Sequence, residues 1–71
     1  MTNLKNIRTQ RGISQSKLAE LSGISVRVIQ SYEQGHRDIN LASGVSLHKL
    51  AQALECNMEE LLESINRILE R

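Results

Sequence analysis

The stretch that most constrains the fold of this chain is residues 14–35, SQSKLAELSGISVRVIQSYEQG. Ser14 and Ser25 each stand directly before a helix-like pattern, where a hydroxyl can accept from the free N–H groups of a first helical turn. Gly23 lies between the two patterns, where a chain leaving a helix often adopts a left-handed conformation. The stretch therefore predicts two short helices joined by a tight turn.

Apolar residues in this stretch are spaced to hold both helices on a common core. Leu18, Leu21 and Ile24 are the predicted anchors, and Ala19 is small enough to let the second helix approach closely. Two helices joined by a short turn containing glycine form the helix-turn-helix motif, whose second helix enters the major groove of DNA. We therefore expect the second helix to be the DNA-contacting element.

The second helix divides into an apolar and a polar face. At about 100° per residue, Val28, Ile29 and Tyr32 fall within one arc, as a core requires. The residues of the opposite face are Arg27, Gln30, Ser31 and Gln34, with Val26 at the edge. This face is long, polar and nearly free of acidic side chains.

The polar face has the chemistry of base recognition. Arg27 can bridge guanine O6 and N7, and Gln30 can pair with adenine N6 and N7, each at roughly 1–3 kcal/mol of discrimination. Val26 can contact a thymine methyl group, and Ser31 completes the predicted base-reading set. A single amphipathic helix would more often present a solvated face. The preceding helix, the turn glycine and the following loop favour DNA recognition here.

The motif and its flanks follow a known family pattern, T/S-Q-x-x-L-A-x-x-x-G-[IV]-S-x-x-x-I-x-x-[YW]-E-x-G. The matching residues are Ser14, Gln15, Leu18, Ala19, Gly23, Ile24, Ser25, Ile29, Tyr32, Glu33 and Gly35. The flanking matches are Leu4, Ile7, Arg8, Arg11 and Gly12 before the motif, and Leu47, Leu50, Ala51, Leu54, Met58, Leu61 and Leu62 after it. Over roughly residues 3–62, the chain resembles the lambda repressor and Cro type of helix-turn-helix domain, found in many bacterial and phage regulators.

This resemblance implies an all-α fold of five helices, with the helix-turn-helix formed by helices 2 and 3. It also implies that Gln15 anchors the DNA backbone beside the recognition helix. The predicted phosphate-binding residues are Gln15, Lys17, Arg37 and Asn40. Family members often hold the acid equivalent to Glu33 with an arginine from helix 1, so Arg8 and Glu33 are predicted to pair.

The loop after Gly35 departs from the family pattern. Members usually have a shorter link there, often with a proline before the fourth helix. This chain has the segment HRDINLASG at residues 36–44 and no proline at all. The path of this loop and its phosphate contacts are therefore left open by the sequence.

The caps and periodic patterns predict five helices, no strands and one domain over residues 1–71. The predicted helices are 3–11, 15–22, 26–34, 45–54 and a fifth that follows Asn57, where Glu60 completes the spacing of a capping box. Seventy-one residues allow a single core, and the absence of Phe and Trp means that aliphatic residues must build it. We place that core at about residues 3–62.

A C-terminal extension, residues 63–71, continues the apolar pattern of the fifth helix. The stripe spaced by three and four residues is Met58, Leu61, Leu62, Ile65, Ile68 and Leu69. The last three members extend about two turns beyond the core, so they fold back on helix 1 or pack against a second subunit. We expect a homodimer with Ile65, Ile68 and Leu69 at its interface, because exposed aliphatic stripes usually mark interfaces.

Charge is unevenly distributed along the chain. Residues 1–38 carry a net charge of +3 and residues 39–71 a net charge of −2, for a total of +1. The basic half contains the helix-turn-helix, which orients the molecule on a polyanion. The low total predicts modest non-specific affinity and dependence on a second subunit.

Other classes of function find little support. His36, His48 and Cys56 have separations that match no compact zinc motif, and no nucleophile elbow or phosphate-binding glycine loop is present. We therefore expect that the protein is not an enzyme and that it has no metal site and no cofactor. The lone cysteine, the lack of a secretory signal and the lack of an apolar run near ~20 residues predict a cytoplasmic protein without a membrane partner.

The sequence thus predicts a DNA-binding transcriptional regulator. The leading hypothesis is a repressor from a bacterium, phage or mobile element that binds double-stranded DNA at a palindromic operator as a dimer. One alternative is the antitoxin of a toxin–antitoxin pair, in which the same domain neutralises a toxin partner. A third hypothesis is a restriction–modification controller, a class of protein of similar size.

Overall fold

The computed structural model describes residues 2–63, which form five α-helices and no strand. The helices are α1 (Asn3–Gln10), α2 (Gln15–Ser22), α3 (Val26–Glu33), α4 (Gly44–Leu54) and α5 (Met58–Leu61), with a 3₁₀ turn at Ile39–Leu41. Helix α2 packs against α3 and α4, and α1 packs against α3 and α5. The predicted all-α fold of five helices is confirmed.

Side-chain oxygens mark the starts of the helices. The hydroxyls of Ser14 and Ser25 accept hydrogen bonds from backbone N–H groups three residues ahead, at 3.0 and 3.2 Å. Thr2 and Ser43 cap α1 and α4 in the same way. Gly23 ends α2 in the left-handed region, with φ of 77°. The capping pattern of residues 14–35 is therefore confirmed.

Three predicted boundaries differ from the structure by one residue. Helices α1 and α3 end one residue earlier than predicted, because Arg11 and Gln34 occupy the cap positions. Both residues keep right-handed backbone angles and donate their N–H groups to the last turn, so the pattern alone does not separate them from the helix. Helix α4 begins one residue earlier, at Gly44.

An aliphatic core joins the five helices. The side chains that are fully buried are Leu4, Leu18, Ile29, Leu50, Leu54 and Leu61. Tyr32, the one aromatic residue of the chain, packs among them. The prediction of Leu21 as a core anchor is wrong, since this residue is 51% exposed and faces the end of α4 near Ala53.

Helix α5 is much shorter than the apolar stripe predicts. The cap is as predicted, since the Asn57 N–H donates to Glu60 Oε2 at 2.8 Å. The helix nevertheless ends at Leu61, and Leu62 is extended with ψ of 144°. The prediction of one continuous helix from Met58 onward is therefore wrong. The predicted interface residues Ile65, Ile68 and Leu69 lie outside the described residues.

Long-range hydrogen bonds explain why the chain leaves the helix at this point. The backbone N–H of Glu63 donates to Asn40 Oδ1 at 2.8 Å, and the Glu63 carboxylate accepts from the Asn3 N–H at 2.8 Å. The Asn3 side chain donates to the Leu62 carbonyl at 2.7 Å. These bonds hold the residues after α5 against the start of α1.

The C-terminal end of α4 is closed by a side chain from the first helix. Arg11 donates to the carbonyls of Leu54 and Glu55 at 2.7 and 3.0 Å. Glu55 is left-handed, with φ of 57°, and ends the helix. A cation at this position offsets the negative end of the helix dipole. Within residues 2–63, no helix combines the length and apolarity that a bilayer span requires.

Candidate nucleic-acid interface

Helix α3 presents a polar face to solvent while its other face is buried. Arg27, Gln30 and Gln34 are exposed. Val26 and Ser31, the other two predicted base readers, are half-buried at the margins of this face. The helix therefore presents to solvent the residue types that the sequence assigns to base recognition.

A buried ion pair fastens α3 to α1. Arg8 Nε donates to Glu33 Oε2 at 2.6 Å, and Arg8 Nη2 donates to Glu33 Oε1 at 3.0 Å. The Arg8 and Glu33 side chains are 11% and 1% exposed. Arg8 Nη1 also donates to the Ile13 carbonyl at 2.8 Å, which adds the turn before α2 to the assembly. The structure thus brings together the two residues that the family resemblance pairs.

Gln15 extends this ion pair to the exposed face of α3. Its Nε2 donates to Glu33 Oε1 at 2.9 Å, and its Oε1 accepts from Gln30 Nε2 at 3.3 Å. We call the four linked residues Arg8, Glu33, Gln15 and Gln30 the amide relay. Sequence reasoning predicted the Arg8–Glu33 pair of this relay but missed the links through Gln15 and Gln30, because the members come from three helices and no periodic pattern links them.

The predicted phosphate-binding residues have different surroundings. Lys17 is exposed, and its Nζ lies 3.5 Å from Glu20 Oε1, a weak surface pair. Arg37 is exposed on the loop after α3. Gln15 is half-buried at the first position of α2 and is a member of the amide relay.

Asn40, the fourth predicted phosphate-binding residue, is hydrogen-bonded to the residues after α5. Its Nδ2 donates to the Glu63 carbonyl at 3.1 Å, and its Oδ1 accepts from the Glu63 N–H at 2.8 Å. Both polar ends of the amide are therefore engaged within the protein. Asn40 thus joins the loop to the residues after α5, and these two bonds use only one of the two N–H groups of its amide. Its phosphate contact stays a prediction.

The structure shows the path of the loop of residues 36–44, which the sequence leaves open. Hydrogen bonds hold its first residues against the end of α3, and the loop then reaches the core at Ile39. The N–H groups of His36 and Arg37 donate to the Ser31 carbonyl at 2.9 and 3.2 Å. The Asp38 carboxylate caps the 3₁₀ turn by accepting from the Asn40 N–H. Ile39 then enters the core at 4% exposure. This path holds Arg37 near the C-terminal end of α3.

Comparison with known families agrees with this geometry. A model of the HTH_3 helix-turn-helix family matches residues 4–61, which is most of the chain. The chain belongs to this family. The family is one of Cro/C1-type, Xre-like regulators that bind DNA. No curated protein and no solved structure gave a match.

In this helix-turn-helix domain, α2 and α3 are the motif and α3 is its second helix. The amide relay joins the two helices of the motif to each other and to α1. The relay therefore connects the buried part of the domain to the surface that family members use on DNA.

Potential metal-binding side chains are dispersed over the part of the helix-turn-helix domain that the structure describes. Within residues 2–63, no three His, Cys, Asp or Glu side chains are grouped so that they could hold an ion. Burial raises the pKa of the Cys56 thiol, Glu60 raises it further, and Arg11 opposes the shift. The thiol is therefore protonated near neutral pH, which makes it a weak nucleophile and a weak ligand.

Proposed function

We propose that this helix-turn-helix protein is a sequence-specific transcriptional repressor that reads a palindromic operator as a homodimer. The observation that carries the proposal is the exposed polar face of α3, with Arg27 and Gln30 on a helix whose opposite side is fixed by Ile29, Tyr32 and Glu33. A helix that is rigid on one side and polar on the other can hold donors and acceptors in a fixed register against base edges.

Base recognition is assigned to four residues of α3. Arg27 reads guanine through two donors, and Gln30 reads adenine through one donor and one acceptor. Val26 and Ser31, at the margins of the face, are short and make closer-range contacts with a thymine methyl group or a base edge. Arg27 and Gln30 therefore supply most of the discrimination.

Phosphate contacts are assigned to Gln15, Lys17 and Arg37. Gln15 uses one N–H of its amide on Glu33, and the second N–H is the one proposed to meet a phosphate. Lys17 and Arg37 are exposed cations on either side of α3 in the sequence. The net charge of +3 over residues 1–38 supports this orientation toward DNA.

Dimerisation is assigned to Ile65, Ile68 and Leu69, which follow the described residues in the sequence. One recognition helix reads only a few base pairs, and a domain with a total charge of +1 gains little from non-specific attraction. A two-fold pair places two such helices about 34 Å apart on one face of DNA. A toxin partner or a restriction–modification role stays a separate prediction.

Selection of bound sequences from a random DNA pool at fixed salt tests this proposal. The expected result is an enriched palindrome with half-sites separated by about one helical turn. The matched control is the variant R27A/Q30A, which changes two exposed side chains and should fold normally. Selection that enriches no sequence with the native protein, or the same sequence with the control, would overturn the proposal.

A further inference from the structure

We infer that the buried Arg8–Glu33 ion pair sets the orientation of the Gln30 amide, and thereby the base preference at the position that Gln30 reads. Gln15 transmits this orientation. Gln15 and Glu33 are then positioning residues for specificity, although neither contacts a base. The inference rests on the proposed function and adds to it the reason why Gln30 prefers one base.

The first step is the polarity of Glu33. An ionised carboxylate accepts hydrogen bonds and donates none. Its two oxygens accept hydrogen bonds from the Arg8 guanidinium at 2.6 and 3.0 Å. The Glu33 side chain is only 1% exposed, so this arrangement lies inside the protein. Any amide that approaches Oε1 must therefore approach with its NH₂ group.

The second step is the orientation of Gln15. Its Nε2 lies 2.9 Å from Glu33 Oε1, so the amide is fixed with the NH₂ group toward the ion pair. The reverse orientation would place two oxygens against each other. The Gln15 carbonyl oxygen is therefore the atom that faces Gln30, and it can only accept.

The third step reaches the surface. Gln30 Nε2 lies 3.3 Å from Gln15 Oε1 and donates to it, which uses one of the two N–H groups of Gln30. The second N–H and the carbonyl oxygen are left for DNA. A donor beside an acceptor matches N7 and N6 of adenine. A Gln30 amide without this restraint could turn over and present its groups in the opposite order.

The relay makes a prediction that separates positioning from ordinary phosphate binding. A lost phosphate contact weakens all DNA sequences alike, whereas a lost orientation alters preference at one base pair. Arg27 is not a member of the relay, so the base pair that Arg27 reads serves as an internal control. The two effects can thus be read from one set of binding measurements.

The experiment measures affinities for the selected operator and for variants with each of the other three bases at every half-site position. The proteins are wild type, Q15A, Q30A, Q15A/Q30A, R8M/E33L and the matched control S16A, which changes the exposed neighbour of Gln15. The double variant R8M/E33L removes the acceptor without leaving a buried charge unpaired.

The expected result is that Q15A and R8M/E33L lose preference at one base pair per half-site by about fivefold or more, the lower end of what a bidentate contact discriminates. Preference at the Arg27 position and all preferences of S16A should stay unchanged. Q15A should have no further effect on preference in the Q30A background, because Gln15 acts through Gln30.

Two results would overturn the inference. One is a Q15A protein that weakens every sequence equally, and the other is a Q15A effect that persists in full in the Q30A background. If R8M/E33L fails to fold by circular dichroism, the Q15A cycle decides the matter, since Q15A leaves the ion pair intact. A wild-type protein with no base preference at all would instead overturn the proposed function.

Discussion

Arg27 and Lys17 are both exposed cations of the helix-turn-helix, and truncating each to alanine should affect DNA binding differently. We expect R27A to cost about 1–3 kcal/mol of operator binding and to relax preference at one base pair, because the Arg27 guanidinium is proposed to pair with a base edge. K17A should weaken all sequences alike and lower the salt slope by about 1. Titrations on the operator and its single-base variants at two salt concentrations distinguish the two. Unchanged base preference in R27A would contradict the assignment.

Glu33 should be far more sensitive to substitution than its neighbours. E33Q leaves the Arg8 charge buried without its partner, and we expect a loss of roughly 3–5 kcal/mol in the free energy of unfolding. In the paired variant R8M/E33L, in which both charges are removed, stability should return close to the wild-type value. Urea denaturation followed by circular dichroism measures both. A wild-type midpoint for E33Q would mean that the ion pair adds nothing to stability.

At the scale of single residues, the sequence predicted which residues belong to the site better than it predicted their hydrogen-bond partners. The pairing of Arg8 with Glu33 followed from the family resemblance, and the structure places the two in contact. The family resemblance assigns Gln15 to phosphate alone, because the matching glutamine of family members anchors the DNA backbone and nothing local points elsewhere. Its partners are 15 and 18 residues away in sequence and become neighbours only when α2 and α3 pack.

At the scale of elements, two glycines with equal space around them should respond in opposite directions to alanine. Nothing lies within 4 Å of a Cβ placed on Gly23 or on Gly44. Gly23 has φ of 77°, so G23A should destabilise the domain by about 1 kcal/mol or more. Gly44 opens α4 with ordinary backbone angles, so G44A should stabilise by about 0.4–1 kcal/mol. Thermal unfolding of both variants checks the pair, and equal shifts would refute this account.

Helix starts were predictable, whereas the end of the fifth helix was not. Serine, threonine and asparagine caps act over three residues, so they are visible in the sequence. The spacing of Met58, Leu61 and Leu62 fits a helix that continues. What ends the helix is the set of hydrogen bonds that join Glu63 to Asn3 and Asn40, 60 and 23 residues away. A periodic pattern contains no information about contacts of that range.

At the scale of the whole molecule, the proposed dimer is assigned to Ile65, Ile68 and Leu69. We expect I65K/I68K to give a folded monomer that binds the operator about 10²-fold more weakly or worse, because the two half-sites are then engaged independently. N66K is the matched control, since it adds a positive charge between the two isoleucines without removing either. Sedimentation equilibrium and operator titrations measure the two effects.

A wild-type protein that sediments as a monomer at roughly tens of micromolar, where a pair with a Kd of about 1 μM is mostly associated, would contradict the proposed dimer. Unfolding of I65K/I68K would indicate instead that the two isoleucines belong to the intrachain core. The N66K control separates the second result from a general effect of added charge.

The one tyrosine of this protein is buried on α3, the helix whose exposed face is proposed to contact DNA. Tyr32 is 8% exposed on α3, and the chain contains no tryptophan, phenylalanine or disulfide that could add to its signal. The near-ultraviolet circular dichroism of the whole protein is therefore the spectrum of one residue. If that band disappears while the helical far-ultraviolet signal persists, the packing of the recognition helix has loosened before the helices themselves have melted.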